Sequence, residues 1–259
     1  MDTGLVLVAM FLLTFTRIVT MFVQAPIWGS HHMPTQVLIG AAGCMAFIIL
    51  PQLPIPQELY HITLPGFGLM VMGQALIGLV IGFVSFIILA GAQFAGEMLD
   101  IQMGLSVAAA FDPASHGAIN LLRRFKFYFA MIIYLIIGGH RQLIYVLAKS
   151  FELIPLTRLN FPGGLIELCI NLVGTLFYLA VQIAAPVLAA LFIVQVALGL
   201  LSRVAPQMNV FMLSFPLNIA IGVMLLTISL PIFAYALHGL FDHNYHDLIK
   251  AVQYMSPGR

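Results

Sequence analysis

The stretch LPGFGLMVMGQALIGLVIGFVSFIILAGAQFAG, Leu64 to Gly96, decides the fold class. It contains no aspartate, glutamate, lysine or arginine. A helix needs about 20 apolar residues to cross roughly 30 Å of hydrocarbon. As one straight helix this stretch is about 50 Å long at 1.5 Å per residue, so it is either bent or projects beyond a bilayer. The rest of the chain has the same character. Of 259 residues, 62% are hydrophobic and 7% charged, whereas about a quarter of a soluble domain is charged. That excludes a soluble enzyme, a nucleic-acid binder and a disordered scaffold. The net charge of +1 supplies no electrostatic footprint for nucleic acid. The expected class is an all-α polytopic membrane protein in contact with membrane lipids.

Charge-free runs also extend over 18–57, 127–140, 168–202 and 204–241. They divide into about six hydrophobic segments: Gly4 to Ile27, Pro34 to Leu50, Leu64 to Gly96, Arg124 to Gly138, Gly164 to Leu201 and Val210 to Leu237. Pro51, Pro54 and Pro56 close the second. Pro186 lies near the middle of the fifth, and Pro216 and Pro231 lie inside the sixth, as kink candidates. A polar tail, Asp242 to Arg259, is expected to follow. No basic residue precedes the first apolar run, so it is expected to stay as a helix rather than act as a cleaved signal. With six spans, and Arg17 set aside inside the first, the basic residues divide four against five between the two sides, a balance that fixes no orientation.

Three local patterns stand out. Gly78 and Gly82 form a GxxxG pair, with Gly73 on the same segment. Small residues four apart let another backbone approach, either within this chain or from another subunit. Between the third and fourth segments, Ala95 to Lys126 holds Glu97, Asp100, Asp112, Arg123, Arg124 and Lys126, about a third of all charges. Its middle turns small and apolar, from Gly104 through Ser106 to Phe111, Asp112 and Pro113. Irregular backbone at membrane depth is tolerated only when buried in protein or lining a cavity. Glu97 and Asp100 share a helix face if the helix continues, and such a pair also fits a proton site in a secondary transporter. The third pattern is Gly199-Leu-Leu-Ser-Arg203 followed by Pro206-Gln207-Met-Asn209-Val-Phe211, a tight polar turn between two apolar helices.

Catalytic and cofactor patterns are missing. There is no phosphate-binding Gly-rich loop, HExxH or CxxC, and no nucleophile–base set marks an enzyme. His238, His243 and His246 near Asp242 and Asp247 have loose spacing for a metal. Cys44 and Cys169 lie in apolar runs and read as small buried hydrophobes. No catalytic, cofactor or metal residue is assigned, and no internal repeat of the transporter kind relates the two halves.

Taken in order, Arg17 with Ala25-Pro26, Gly73-Gln-Ala-Leu-Ile-Gly78 with Gly82, Ala95-Gly96, Asp100, Gln102 and Gly104, Phe111-Asp112-Pro113, and the Gly199 to Phe211 turn with Phe215-Pro216 give the chain a family resemblance. It resembles the FliR family of flagellar type III export-gate subunits and their R-type homologues in virulence injectisomes, and the match runs nearly the whole length. The resemblance implies long, kinked helical hairpins built for a helical multi-subunit gate in the bacterial inner membrane, at the flagellar basal body. It implies one R-type copy among P-type and Q-type subunits, with the B-type switch subunit and A-type export subunit as further partners, and unfolded flagellar proteins as substrates. Residues 1–160 would form a P-like portion and 161–259 a Q-like hairpin with its tail, within one membrane domain. The loop at about 105–121 would plug the closed pore, with Gly104, Leu105, Ser106, Phe111, Asp112, Pro113 and Gly117 in the plug. Glu97, Asp100, Gln102, Arg123 and Arg124 would anchor it. Gly73, Gly78, Gly82, Arg17, Arg203, Pro206, Gln207 and Asn209 would meet other subunits. The run from Asn209 to Phe211 with Phe215-Pro216-Leu-Asn218 favours the flagellar over the injectisome branch.

Overall fold

The structure is a computed structural model that describes residues 3–29, 33–105, 120–157 and 163–257. Among these the chain is helical, without strands: α1 Thr3–Gln24, α2 Thr35–Ile49, α3 Leu64–Gln102, α4 Leu121–Ile137, α5 Gly139–Leu153, α6 Gly163–Val204 and α7 Val210–Tyr254. Short 3-10 turns at Leu50–Gln52 and Gln57–His61 fill the proline-rich link between α2 and α3. Five helices are long and apolar enough to cross a membrane, or six if the bent pair α4 and α5 counts as one span. The chain is an all-α polytopic membrane protein. In hydrocarbon each backbone N–H and C=O must find its partner inside the protein, and a helix does this within one segment.

Three boundaries differ from the sequence reading. The helix α3 runs to Gln102 and α4 begins at Leu121, so Glu97, Asp100, Arg123, Arg124 and Lys126 stand on helices rather than in a loop. The second difference is α5, which carries His140, Arg141, Lys149 and Glu152. That is too many polar groups in 15 residues to register as a span. It starts at Gly138, whose φ of 80° is a left-handed conformation that costs glycine little. The third is the expected polar tail, which is helical to Tyr254. Phe241 just before it and its own Leu248, Val252 and Met255 recur at helical spacing and are buried, so one face of this segment is core despite its charges. Both α6 and α7 continue through their internal prolines.

The chain forms two compact units. The first comprises the described residues of 1–87, 134–173 and 241–259. In it α1 packs on α3 with almost no space between backbones. A side chain at Gly78 would collide with Thr20 Oγ1 and the Arg17 carbonyl, and one at Gly82 with the Met21 carbonyl. Met10, Leu13, Ile18, Phe22, Ile77 and Ile81 fill the surrounding core. After α1 the chain turns through Ile27 at φ 73°, and Trp28 folds back to stack on Phe22 at 4.5 Å between centroids. The end of α7 is tied in by the Asn244 side-chain amide, which donates to the Val84 carbonyl at 2.7 Å.

The second unit comprises residues 88–133 and 174–240. Ala95, Leu99, Met103, Leu122, Ala180, Ala184, Val187, Leu191 and Leu226 form its core. The alanines again allow close helix approach, and Gly91 faces the Leu176 carbonyl.

The glycine packing gives a direct test. Replacing Gly78 by Leu is expected to destabilise the protein by about 3 kcal/mol through overpacking. Replacing Gly68, where an added Cβ meets nothing within 4 Å, should leave stability unchanged. Thermal unfolding in detergent, read by circular dichroism, compares the two.

Candidate functional site

The second unit brings the two ends of the 103–120 segment together. Asp100, on the last full turn of α3, is fully buried. Its Oδ1 accepts from the Leu122 N–H and its Oδ2 from the Arg123 N–H, each at 3.0 Å. These N–H groups belong to the first turn of α4, where a helix leaves four donors without intrahelical partners. A carboxylate there satisfies two of them and meets the positive end of the helix dipole, worth up to about 2 kcal/mol when partly buried. One helix therefore supplies the cap of another. Gly96 makes this possible, because any side chain there would strike the Arg123 Cα and the Leu122 carbonyl. Glu97 adds a salt bridge to Arg123 at 3.7 Å. Both side chains are about 40% exposed, so its contribution is small.

The clasp thus gathers Glu97, Asp100 and Arg123. Gln102 is half-buried and Arg124 exposed, and neither takes part. Gly104 ends the α3 turn at φ 79°, donating its N–H to the Ile101 carbonyl at 3.1 Å. It lies against the Phe215 ring, with no room for a Cβ. Leu105 packs on the core of the unit. Ser106, Phe111, Asp112, Pro113 and Gly117 lie outside the described residues.

Of the residues expected to meet other subunits, Gly73, Gly78, Gly82 and Arg17 are buried in the first unit. Gly78 and Gly82 use their missing side chains against α1 of this same chain. Arg17 is fully buried. Its Nε donates to Gln74 Oε1 at 2.6 Å, one Nη to the Ser150 carbonyl at 2.9 Å and the other to the Ile154 carbonyl at 3.1 Å. Its guanidinium also lies 4.3 Å above the Phe151 ring, a cation–π contact. Gln74 passes the network on by donating to the Leu156 carbonyl at 2.9 Å. The sequence reading missed Gln74, Ser150 and Phe151. The available signal was an arginine deep within an apolar helix, which requires internal acceptors, and a glutamine inside the next apolar run.

At the turn between α6 and α7, Arg203, Pro206, Gln207 and Asn209 are all exposed. Asn209 caps α7, its Oδ1 accepting from the Met212 N–H at 3.3 Å, the usual N-cap role of asparagine. Val204 is 82% and Met212 73% exposed, so apolar side chains flank the polar turn.

Residues 8–244 match the family described as bacterial export proteins, family 1. The chain belongs to this family. Among relatives, the flagellar biosynthetic protein FliR of Bacillus subtilis (strain 168) is 31% identical over 239 residues, covering 90% of each chain. The protein of the same name from Escherichia coli (strain K12) is 31% identical over 241 residues, covering 91% of this chain and 90% of its own. The Aquifex aeolicus (strain VF5) protein of that name is 28% identical over 243 residues, covering 94% and 92%.

In this member of the bacterial export proteins, family 1, the Asp100 site is built from backbone donors, and the Arg17 site from backbone carbonyls together with the side chains of Gln74 and Phe151. That makes each sensitive to single substitutions. In Asp100→Ala the amide hydrogens of Leu122 and Arg123 should exchange with solvent roughly tenfold faster or more, as the lost cap frees both donors. Asp100→Asn, which keeps one acceptor oxygen, should fall between. Hydrogen-exchange mass spectrometry over residues 119–127 reads this. Arg17→Met should lower stability by about 3 kcal/mol by stranding buried acceptors. Arg17→Lys should restore only part, since an ammonium lacks the planar fork that reaches three acceptors. Thermal unfolding separates the three proteins.

Proposed function

We propose that this protein is a non-enzymatic, pore-forming subunit of the flagellar type III protein export gate. It passes unfolded flagellar proteins across the bacterial inner membrane at the basal body. Its partners are P-type and Q-type gate subunits, with the B-type switch subunit and the A-type export subunit alongside. Residues 1–160 act as the P-like portion and 161–259 as the Q-like hairpin, each taking one position in a helical assembly. The segment between α3 and α4 plugs the closed pore. Family membership and the flagellar names of the relatives support the gate role and favour it over an injectisome.

The observation that carries the plug is the Asp100 clasp. Two backbone N–H groups of α4 held by a buried carboxylate of α3 pin both ends of the intervening segment at one place. The clasp bears the cost of closing that loop and fixes where it begins and ends. Asp100 engaged in this way is a structural carboxylate, which argues against the proton-coupled transporter reading.

Removing residues 106–119 and bridging the clasp with a short glycine linker should leave co-purification of P-type and Q-type subunits intact. Membranes carrying that complex should leak ions or small solutes, read by swelling or conductance. A sealed membrane with the complex still assembled would refute the plug.

A further inference from the structure

Within the second unit, one face of α7 seats both sides of the Asp100 clasp. Met103 follows the last residue of α3 and is fully buried. It sits against Gly222 of α7, where an added Cβ would stand 2.6 Å from its Sδ and Cε. About two turns earlier the Phe215 ring lies against Gly104, whose added Cβ would meet it at 2.7 Å. Leu226, about one turn past Gly222, joins the core that holds Leu99, Met103 and Leu122. Phe233 comes 18 residues after Phe215, about five turns at 3.6 residues per turn. Its ring covers the buried Lys126 Nζ of α4 at 4.0 Å. A single stripe of α7 therefore grips the end of α3 and the second turn of α4.

That stripe contains one misfit. Asn218, about a turn from both Phe215 and Gly222, is 5% exposed, and among the described residues its Oδ1 has no hydrogen-bond donor. A buried acceptor left without a donor carries the full cost of losing its water, and native structures hold few such groups. The seated state is thus less stable than the same contacts would be with an apolar residue at position 218. Pro216 adds a bending point beside it. It has no N–H for the Met212 carbonyl, and helices kink at such places. Close contacts, a built-in penalty and a hinge lie within three turns of one helix.

We propose that α7 is a releasable latch on the Asp100 clasp. Phe215, Gly222 and Phe233 hold the end of α3 and the start of α4 together, and the unpaired Asn218 oxygen keeps the seated state close in free energy to a released one. Bending of α7 at Pro216 lets Met103 leave its notch and loosens both sides of the clasp. The latch stands on the packing of α3, α4 and α7 alone; that its release opens a pore rests on the plug reading.

Hydrogen-exchange mass spectrometry of the full-length protein, purified in mild detergent with whatever subunits accompany it, reads the latch over residues 98–105 and 120–127. Asn218→Leu removes the unpaired oxygen at nearly the same side-chain size and should slow exchange there about tenfold. Gly222→Val fills the notch and Phe215→Ala empties the seat beside Gly104, and each should speed exchange about tenfold. Exchange in α1, in the first unit, should match the wild type in all three. Exchange in Asn218→Leu as fast as in the wild type or faster would overturn the proposal, and so would unchanged exchange in both Gly222→Val and Phe215→Ala. A parallel change in α1 would mark a loss of overall stability and overturn it as well. Conductance of membranes carrying the complex then reads the consequence. Gly222→Val should leak, as should the protein lacking residues 106–119. A leak from the deletion alone, with exchange in Gly222→Val raised, would overturn control of the pore by α7. A leak from neither would refute the plug reading, while the exchange result still supports the latch.

Discussion

The first unit is organised around a cation that no carboxylate pairs among the described residues. Arg17 is buried, and its charge is answered by carbonyl oxygens and one amide. Two of those carbonyls, Ser150 and Ile154, lie at the C-terminal end of α5, the negative end of its dipole, and the Ser150 carbonyl also accepts the Ile154 N–H. Guanidinium and helix end therefore satisfy each other. The geometry is demanding, because a planar fork must find α3 through Gln74 and the end of α5 at once. That demand explains the neighbouring glycines. Arg17 reaches Gln74 only if α1 and α3 lie nearly backbone to backbone, and Gly78 and Gly82 permit that approach.

The second unit solves the converse problem with an anion. Asp100 is also buried, and it too is answered by backbone, here the free N–H groups that open α4. Neither site uses a strong side-chain ion pair. In a low-dielectric interior a lost partner leaves a bare charge. Backbone partners cannot be mutated away and are fixed by the helix itself. Each unit therefore has one buried charge that reads the polarity of a helix terminus, which fixes helix direction as well as contact.

Hydrophobic runs made the fold class and most helices legible, because charge-free length is a direct consequence of the bilayer. They failed where apolar character was confined to one face. The end of α7 looked polar through Asp242, His243, His246, Asp247 and Lys250, although Leu248, Ala251 and Val252 face inward. The helix α5 was hidden in the same way. Asp100 and Arg123 stood among the five anchors that the family resemblance implies, on opposite sides of the small-residue segment. Their bonding was not legible, since its acceptors meet backbone donors that every residue carries. Arg17 was named only through the family resemblance, as a contact to other subunits, and assigning its partners required Ser150 and Ile154, more than 130 residues away. A lone sequence gives no means of bringing them close. Lys126 stood in the sequence as one of a basic cluster with Arg123 and Arg124, and only packing showed it under Phe233.

Gly138 carries a consequence for sidedness. It is the left-handed residue at which α4 stops and α5 starts, and the helices on either side reach crossing length only as a pair. If the pair crosses, the chain makes an even number of passages and its two ends emerge in the same compartment. If the pair dips and returns, the number is odd and the ends are separated by the membrane. All that follows, including the exposed Arg203 turn, changes compartment with that choice. The parity of the whole topology turns on whether the pair bent by 67° at Gly138 crosses or returns.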